Sequence, residues 1–176
     1  ARVRPEQRAL EGSVESIRDR LGANASPIQL PLGLGHDLHG AINLVTMKAH
    51  QYESVEDNDL TEIEIPEEFK DQAEKYREKL IESVAEVDEG ILEKFLEGEK
   101  IGVEELKKAI RKGVISNEFF PIMGADSRTV SVQLILDAIV DYLPSPLDLP
   151  PAEGIHPKTE KKLLRKPQKD EPFSAL

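Results

Sequence analysis

Val132 to Pro151 reads V-Q-L-I-L-D-A-I-V-D-Y-L-P-S-P-L-D-L-P-P. Leu134, Leu136, Ala138, Ile139, Val140, Tyr142 and Leu143 cover a wide apolar surface of a helix. Asp137 and Asp141, four apart, mark its wet edge. Pro144 ends the helix, because it offers no N–H and pushes the preceding residue out of the α region. Ser145-Pro146 and Pro150-Pro151 then hold the chain extended. By itself the stretch specifies a core helix followed by an exit strap.

Upstream of it the pattern alternates between helix and strand. Val14, Ile17, Arg18 and Leu21 recur at helical spacing, so Ser13 to Leu21 is expected to be a helix, with Ser13 as N-cap and Gly22 as stop. Residues 1–12 show no clear core pattern. Pro27 to Leu32 alternates like one short strand. Gly33 and Gly35 make a loop, Ala41 to Tyr52 reads as one strand of a hairpin, Glu53 to Asp59 as an acidic turn, and Thr61 to Ile65 as the returning strand. Pro66 followed by Glu67-Glu68 opens the longest helix, its preset φ and the two acids both suiting a first turn. Asp88-Glu89-Gly90 breaks or bends it. A short helix around Ile91 to Leu96 stops near Gly98, and a third runs from Val103 to Lys112 with Gly113 as the residue after its end. Asn117 to Met123 is a buried-strand candidate, and Gly124-Ala125-Asp126 is a turn. Beyond Pro151 the chain is polar and basic, as in a loose tail or part of a further domain.

The 176 residues suffice for one domain or slightly more, and a 39% hydrophobic share supports a core. Cysteine is absent, which excludes disulfides and thiolate metal sites. No apolar run approaches a membrane span, so the expectation is a soluble, cytoplasmic protein with no membrane partner. The net charge of −11 is concentrated. Glu53 to Glu105 holds 20 acidic and 6 basic residues, a balance of −14, and the remainder holds 14 acidic and 17 basic, a balance of +3. Such a field repels nucleic acid phosphates, so no direct DNA binding is expected, and it attracts basic partners.

Within that block Glu74, Glu78, Glu82 and Glu86 recur every four residues along one helix face. Glu89, Glu93 and Glu97 continue the row if the helix is unbroken. Each like-charged i,i+4 pair costs roughly 0.2–0.5 kcal/mol. A solvated face usually mixes signs, and Lys75 and Lys79 offset only part of this row. The stripe reads either as a solubilising surface or as an electrostatic dock for a lysine-rich partner. His36 and His39 sit in a glycine loop. Two imidazoles without cysteine do not complete a zinc set, so no metal is expected. No G-x-x-x-x-G-K-[ST] phosphate loop occurs, and Gly33-Leu34-Gly35 is too short to cradle phosphates and lacks the Lys.

Five ordered strings carry a resemblance. They are Gln29-Leu30-Pro31-Leu32-Gly33, Ile65-Pro66-Glu67-Glu68-Phe69, Leu92 to Glu99 (L-E-K-F-L-E-G-E), Ala109-Ile110-Arg111-Lys112-Gly113, and Val132–Pro151. Together they resemble bacterial elongation factor G from about Ser13 onward, and Asp170 to Leu176 resembles the first strand of that family's second domain. The resemblance implies an α/β class with an α+β insert: the tail of a P-loop GTPase domain carrying an inserted helical and antiparallel-sheet G′ subdomain. Its expected divisions are 1–35 for the later G-domain helix and strand, 36–115 for the G′ insert, 116–143 for the last G-domain strand and helix, and 144–176 for the strap and the start of domain II.

In function the resemblance implies a part of a GTPase that promotes ribosomal translocation and ribosome recycling. GTP or GDP and magnesium would be held by motifs that this chain lacks, so by itself it is expected to be catalytically inactive. The guanine-reading Asn-Lys-x-Asp would fall at Ala1-Arg2-Val3-Arg4, without its Asp. The guanine loop would fall at Gly124, Ala125 and Asp126, where a carboxylate opposes guanine O6. The first G′ helix in this family meets the C-terminal domain of the ribosomal stalk protein, which presents lysines. That assigns partner binding to Glu74, Glu78, Glu82, Glu86 and Glu89, with Glu82 and Glu86 the best matches. A free-standing acidic adaptor without nucleotide binding is the alternative.

Overall fold

A computed structural model describes residues 5–33, 37–53, 59–125, 131–148, 150–156 and 159–167. The acidic turn at 54–58, Asp126, and the strand expected at 170–176 lie outside them. The chain divides into two compact units, Ala1–Tyr142 and Leu143–Leu176, with mixed α and β structure and small sheets.

The first unit opens with α1 (Pro5–Leu21), which is longer than Ser13–Leu21. Ser13 lies inside it and is no N-cap. Tertiary contact lengthens it: Leu10 packs against the core and Glu11 accepts a hydrogen bond from Tyr76. The expected strand Pro27–Leu32 divides in two. β1 (Ala25–Pro27) pairs in parallel with β6 (Phe120–Ile122), and β2 (Gln29–Leu32) enters a separate antiparallel sheet. The Phe120 N–H donates to Asn24 O, so the nitrogen of Pro121 points to the other side of β6, where its missing N–H costs the pair nothing. β6 is half-buried to exposed, not a buried strand, and the buried aromatic is Phe119 just before it.

The second sheet is a meander in the order β2, β3 (Gly40–Asn43), β4 (Lys48–Gln51), β5 (Thr61–Ile63). Ala41–Tyr52 is therefore a complete hairpin and not a single strand. The Asn43 side chain makes the turn, its Oδ1 accepting from the N–H groups of Val45 and Thr46, and Met47 follows at φ 56°. Four consecutive turn residues gave no sequence signal stronger than the alternation around them.

Three helices share one apolar core with this sheet. α2 (Glu67–Ala85) buries Ala73, Tyr76, Leu80 and Val84, with Pro66 standing just outside its first turn at φ −58° and ψ 143°. α3 (Glu89–Glu97) is capped by Asp88 and closed by Gly98 in the left-handed conformation. α4 (Val103–Ile115) runs past Gly113, which is not the residue after the helix. A Cβ there would lie 2.8 Å from Phe119 Cβ and 3.1 Å from Val87 Cγ2, so this glycine serves close packing and not helix termination.

α5 (Val132–Tyr142) forms as expected, but its apolar surface is largely uncovered. Leu136 is 55%, Ile139 45% and Val140 78% exposed, and only Tyr142 is buried. α4 is its main neighbour: Lys107 pairs with Asp141 at 2.7 Å, and Arg111 donates to the Asp141 carbonyl. The second unit contains a 3-10 turn at Pro146–Asp148, held by Asp148 Oδ2 accepting from Ser145 N–H, so the strap is not uniformly extended. Its hairpin pairs β7 (Ala152–Ile155) with β8 (Lys162–Arg165).

Candidate functional site

Helical geometry decides how the acidic row is displayed. With about 3.6 residues per turn, a four-residue step advances about 40° beyond a full turn, so three steps wind the row by about 120°. With about 1.5 Å rise per residue, Glu74 to Glu86 spans about 18 Å. Glu74, Glu78, Glu82 and Glu86 are all exposed. The opposite side of α2 is anchored by Ala73, Tyr76, Leu80 and Val84 in the core, so the helix cannot rotate the row away from solvent.

Few cations offset these carboxylates. Lys70 pairs with Glu67 at 2.6 Å, one turn before the row begins. Lys79 Nζ lies 5.3 Å from the centre of the Tyr76 ring. Arg77 turns inward: its guanidinium donates to the carbonyl oxygens of Leu44 at 2.6 Å and Val45 at 2.7 Å, and burial lowers its pKa. The last turn of α2 holds no basic residue, and Glu82 and Glu86 sit at the negative end of the helix dipole. This placement opposes stability and favours an incoming cation.

The row does not run unbroken into α3. The amides of Val87 and Asp88 close onto Val84 O, and Asp88 begins a new helix by accepting from Ile91 N–H. Glu89 is therefore the first residue of a second helix, with Glu93 and Glu97 exposed along it. The corner is fixed by Asp88 and Lys112 at 2.8 Å, and hydrogen bonding to Lys112 draws the Asp88 pKa below its ordinary value. Lys94 contacts both oxygens of Glu105 and ties α3 to α4. Leu92 (40% exposed) and Leu96 (75%) add apolar surface on α3 beside its acids.

Arg77 is the residue that sequence patterning missed. Its signal was position: Ala73 four residues before and Leu80 three after place it on the inner side of α2.

The remaining candidates are not drawn into this surface. Gly124 is exposed and its carbonyl accepts from Gln29 Nε2 at 3.0 Å; Ala125 is half-buried, and Asp126 lies outside the described residues. His39 Nδ1 lies 2.6 Å from Asp37 O, and His36 lies outside the described residues. Among the described residues, no group of three or more His, Cys, Asp or Glu side chains is placed to hold a metal, and no helix is long and apolar enough to cross a membrane.

No protein-family model matches the chain. It is similar to a crystal structure of a Thermus thermophilus protein, with 31% sequence identity and a TM-score of 0.66, over 88% of this chain and 24% of that one. The chain thus spans about a quarter of the length of the protein it matches.

Proposed function

We propose that the exposed glutamate face of α2 is a docking surface for a lysine-rich protein domain. The observation that carries this reading is the cluster of Glu82 and Glu86 at the C-terminal end of α2, without a basic residue in that turn. The resemblance to elongation factor G names the partner as the C-terminal domain of the ribosomal stalk protein. We read the chain, on the same resemblance, as part of a larger GTPase of ribosomal translocation and recycling, a G′ insert with the adjoining end of the G domain. Two features support that wider reading. β1 and β6 form a two-stranded parallel pair, a form usually found within larger α/β sheets, and Leu136, Ile139 and Val140 on the apolar face of α5 are exposed. In this reading GTP and magnesium are bound by the rest of the parent protein, and the present chain supplies the dock.

The test is titration of the stalk C-terminal domain into the chain by calorimetry, with Glu82→Lys/Glu86→Lys as the variant. Binding that weakens steeply with salt and disappears in the variant, whose circular dichroism is unchanged, supports the dock. Equal affinity of variant and wild type at low salt refutes it.

A further inference from the structure

A second polar site lies on another part of the first unit. A cavity of about 260 Å³ opens between α1, β1 and α2. Its floor includes Ser26, which is 1% exposed and whose Oγ makes no hydrogen bond within the protein. A buried hydroxyl in that state is unfavourable unless something polar meets it. Charged groups of both signs surround it. Glu11 and Glu15, one turn apart on α1, supply carboxylates, while Arg18 from α1 and Lys79 from α2 supply cations.

Three of the four charged groups, Glu11, Arg18 and Lys79, have a fixed partner. Tyr76 Oη donates to Glu11 Oε1 at 2.8 Å, which fixes that carboxylate, and the Tyr76 pKa is raised, by burial first and by Glu11 second. Arg18 Nε donates to Ala25 O at 2.7 Å, so the guanidinium is anchored through one nitrogen and its terminal amino groups remain to meet an anion. Lys79 rests against the Tyr76 ring, at 5.3 Å from its centre. Leu10, Val14 and Pro27 complete the lining with apolar surface.

We propose that this cavity binds a small zwitterion of the α-amino acid class with an apolar side chain. The ammonium is met by Glu11 and Glu15 and the carboxylate by Arg18 and Lys79. Ser26 Oγ hydrogen-bonds to either end, and the side chain lies on Leu10, Val14 and Pro27. The balance of two acids and two bases matches a neutral ligand carrying separated charges and disfavours a simple anion or cation. The volume, below the roughly 300–1,000 Å³ of pockets for drug-sized molecules, limits the ligand to an amino acid or something similarly small. This inference is independent of the docking face, which uses other residues of α2.

The experiment is a heteronuclear NMR titration of the full chain with L-leucine, N-acetyl-L-leucine and L-leucinamide. The expected result is saturable shifts centred on the Ser26 and Tyr76 amides with leucine. Each blocked analogue, lacking one charge, should bind about tenfold or more weakly. Ser26→Ala should weaken leucine binding about fivefold. Exposed Glu15→Gln should abolish discrimination against the analogue lacking the ammonium, and Arg18→Lys, which keeps a cation but not the fork, should weaken leucine binding while N-acetyl-L-leucine and L-leucinamide keep their order. Shifts that stay linear to about 50 mM leucine, that scatter over the whole surface, or that are equal for all three compounds overturn the proposal.

Discussion

Arg77 Nη1 donates to the carbonyl oxygen of Leu44 at 2.6 Å, joining the acidic helix to the turn of the β3–β4 hairpin. The same nitrogen reaches Val45 O at 2.7 Å. Leu44 and Val45 are fully buried, so their turn carbonyls, outside any strand ladder, need a donor from elsewhere. Arg77 supplies it, and in doing so removes its positive charge from the surface where four glutamates stand.

Arg77→Met should therefore destabilise the chain by about 2–4 kcal/mol, since it keeps the length of the side chain but leaves buried carbonyls unpaired. Urea denaturation followed by circular dichroism measures this. A loss below about 0.5 kcal/mol would show that water replaces the guanidinium without penalty.

Gly113 and Gly12 should respond oppositely to alanine. Both lie inside helices, where alanine is favoured over glycine by about 1 kcal/mol. Gly12 has nothing within 4 Å of a built Cβ, so Gly12→Ala should raise the melting temperature. At Gly113 the new methyl meets Phe119 Cβ at 2.8 Å, and overpacking of about 1–3 kcal/mol should outweigh the propensity gain. A rise in melting temperature for Gly113→Ala would contradict the close packing of α4 on Phe119.

Asp88 should confer acid sensitivity on the corner between α2 and α3. Its folded pKa lies below the ordinary carboxylate value, through its hydrogen bond to Lys112 and its cap on Ile91. The stabilisation is complete above the unfolded pKa of about 4 and is lost as pH falls through the lower folded value. Asp88→Asn retains capping ability but cannot titrate, so its stability curve should be flatter than wild type below about pH 4, with a lower plateau at neutral pH. Parallel curves for the two proteins would remove Asp88 from the acid response.

Nucleotide should not bind this chain alone. The phosphate loop and its Lys are absent from the sequence. Titration with fluorescent GDP and GTP in the presence of magnesium should show no saturable binding at micromolar concentrations. Tight binding would overturn the reading of the chain as a non-catalytic dock.

Local signals foretold the elements whose causes are local. Gly98 closes α3 as expected, in the left-handed conformation, and the break expected at Asp88-Glu89-Gly90 is where Asp88 caps α3. The Glu74 to Glu86 row was visible at helical spacing, and its exposure follows from the apolar residues at the complementary positions. The strand readings failed where pairing decided the outcome. Pro27–Leu32 looks like one strand, yet hydrogen bonding sends Ala25–Pro27 to β6 and Gln29–Leu32 to β3. Those partners lie far away in sequence for one strand and close by for the other.

Local pattern was enough to show that helices lie around Ser13–Leu21, Pro66–Lys112 and Val132–Leu143, where acid accumulates, and which phosphate-binding chemistry is missing, because each depends on residues within a turn or two of one another; the ends of α1 and α4 it did not place. Only the tertiary fold decides that Arg77 faces inward, that Gly113 is a packing glycine, and that Ser26 lines one cavity with two acids and two bases. The reason is physical: burial and pairing are set by neighbours tens of residues distant, and no local period records them.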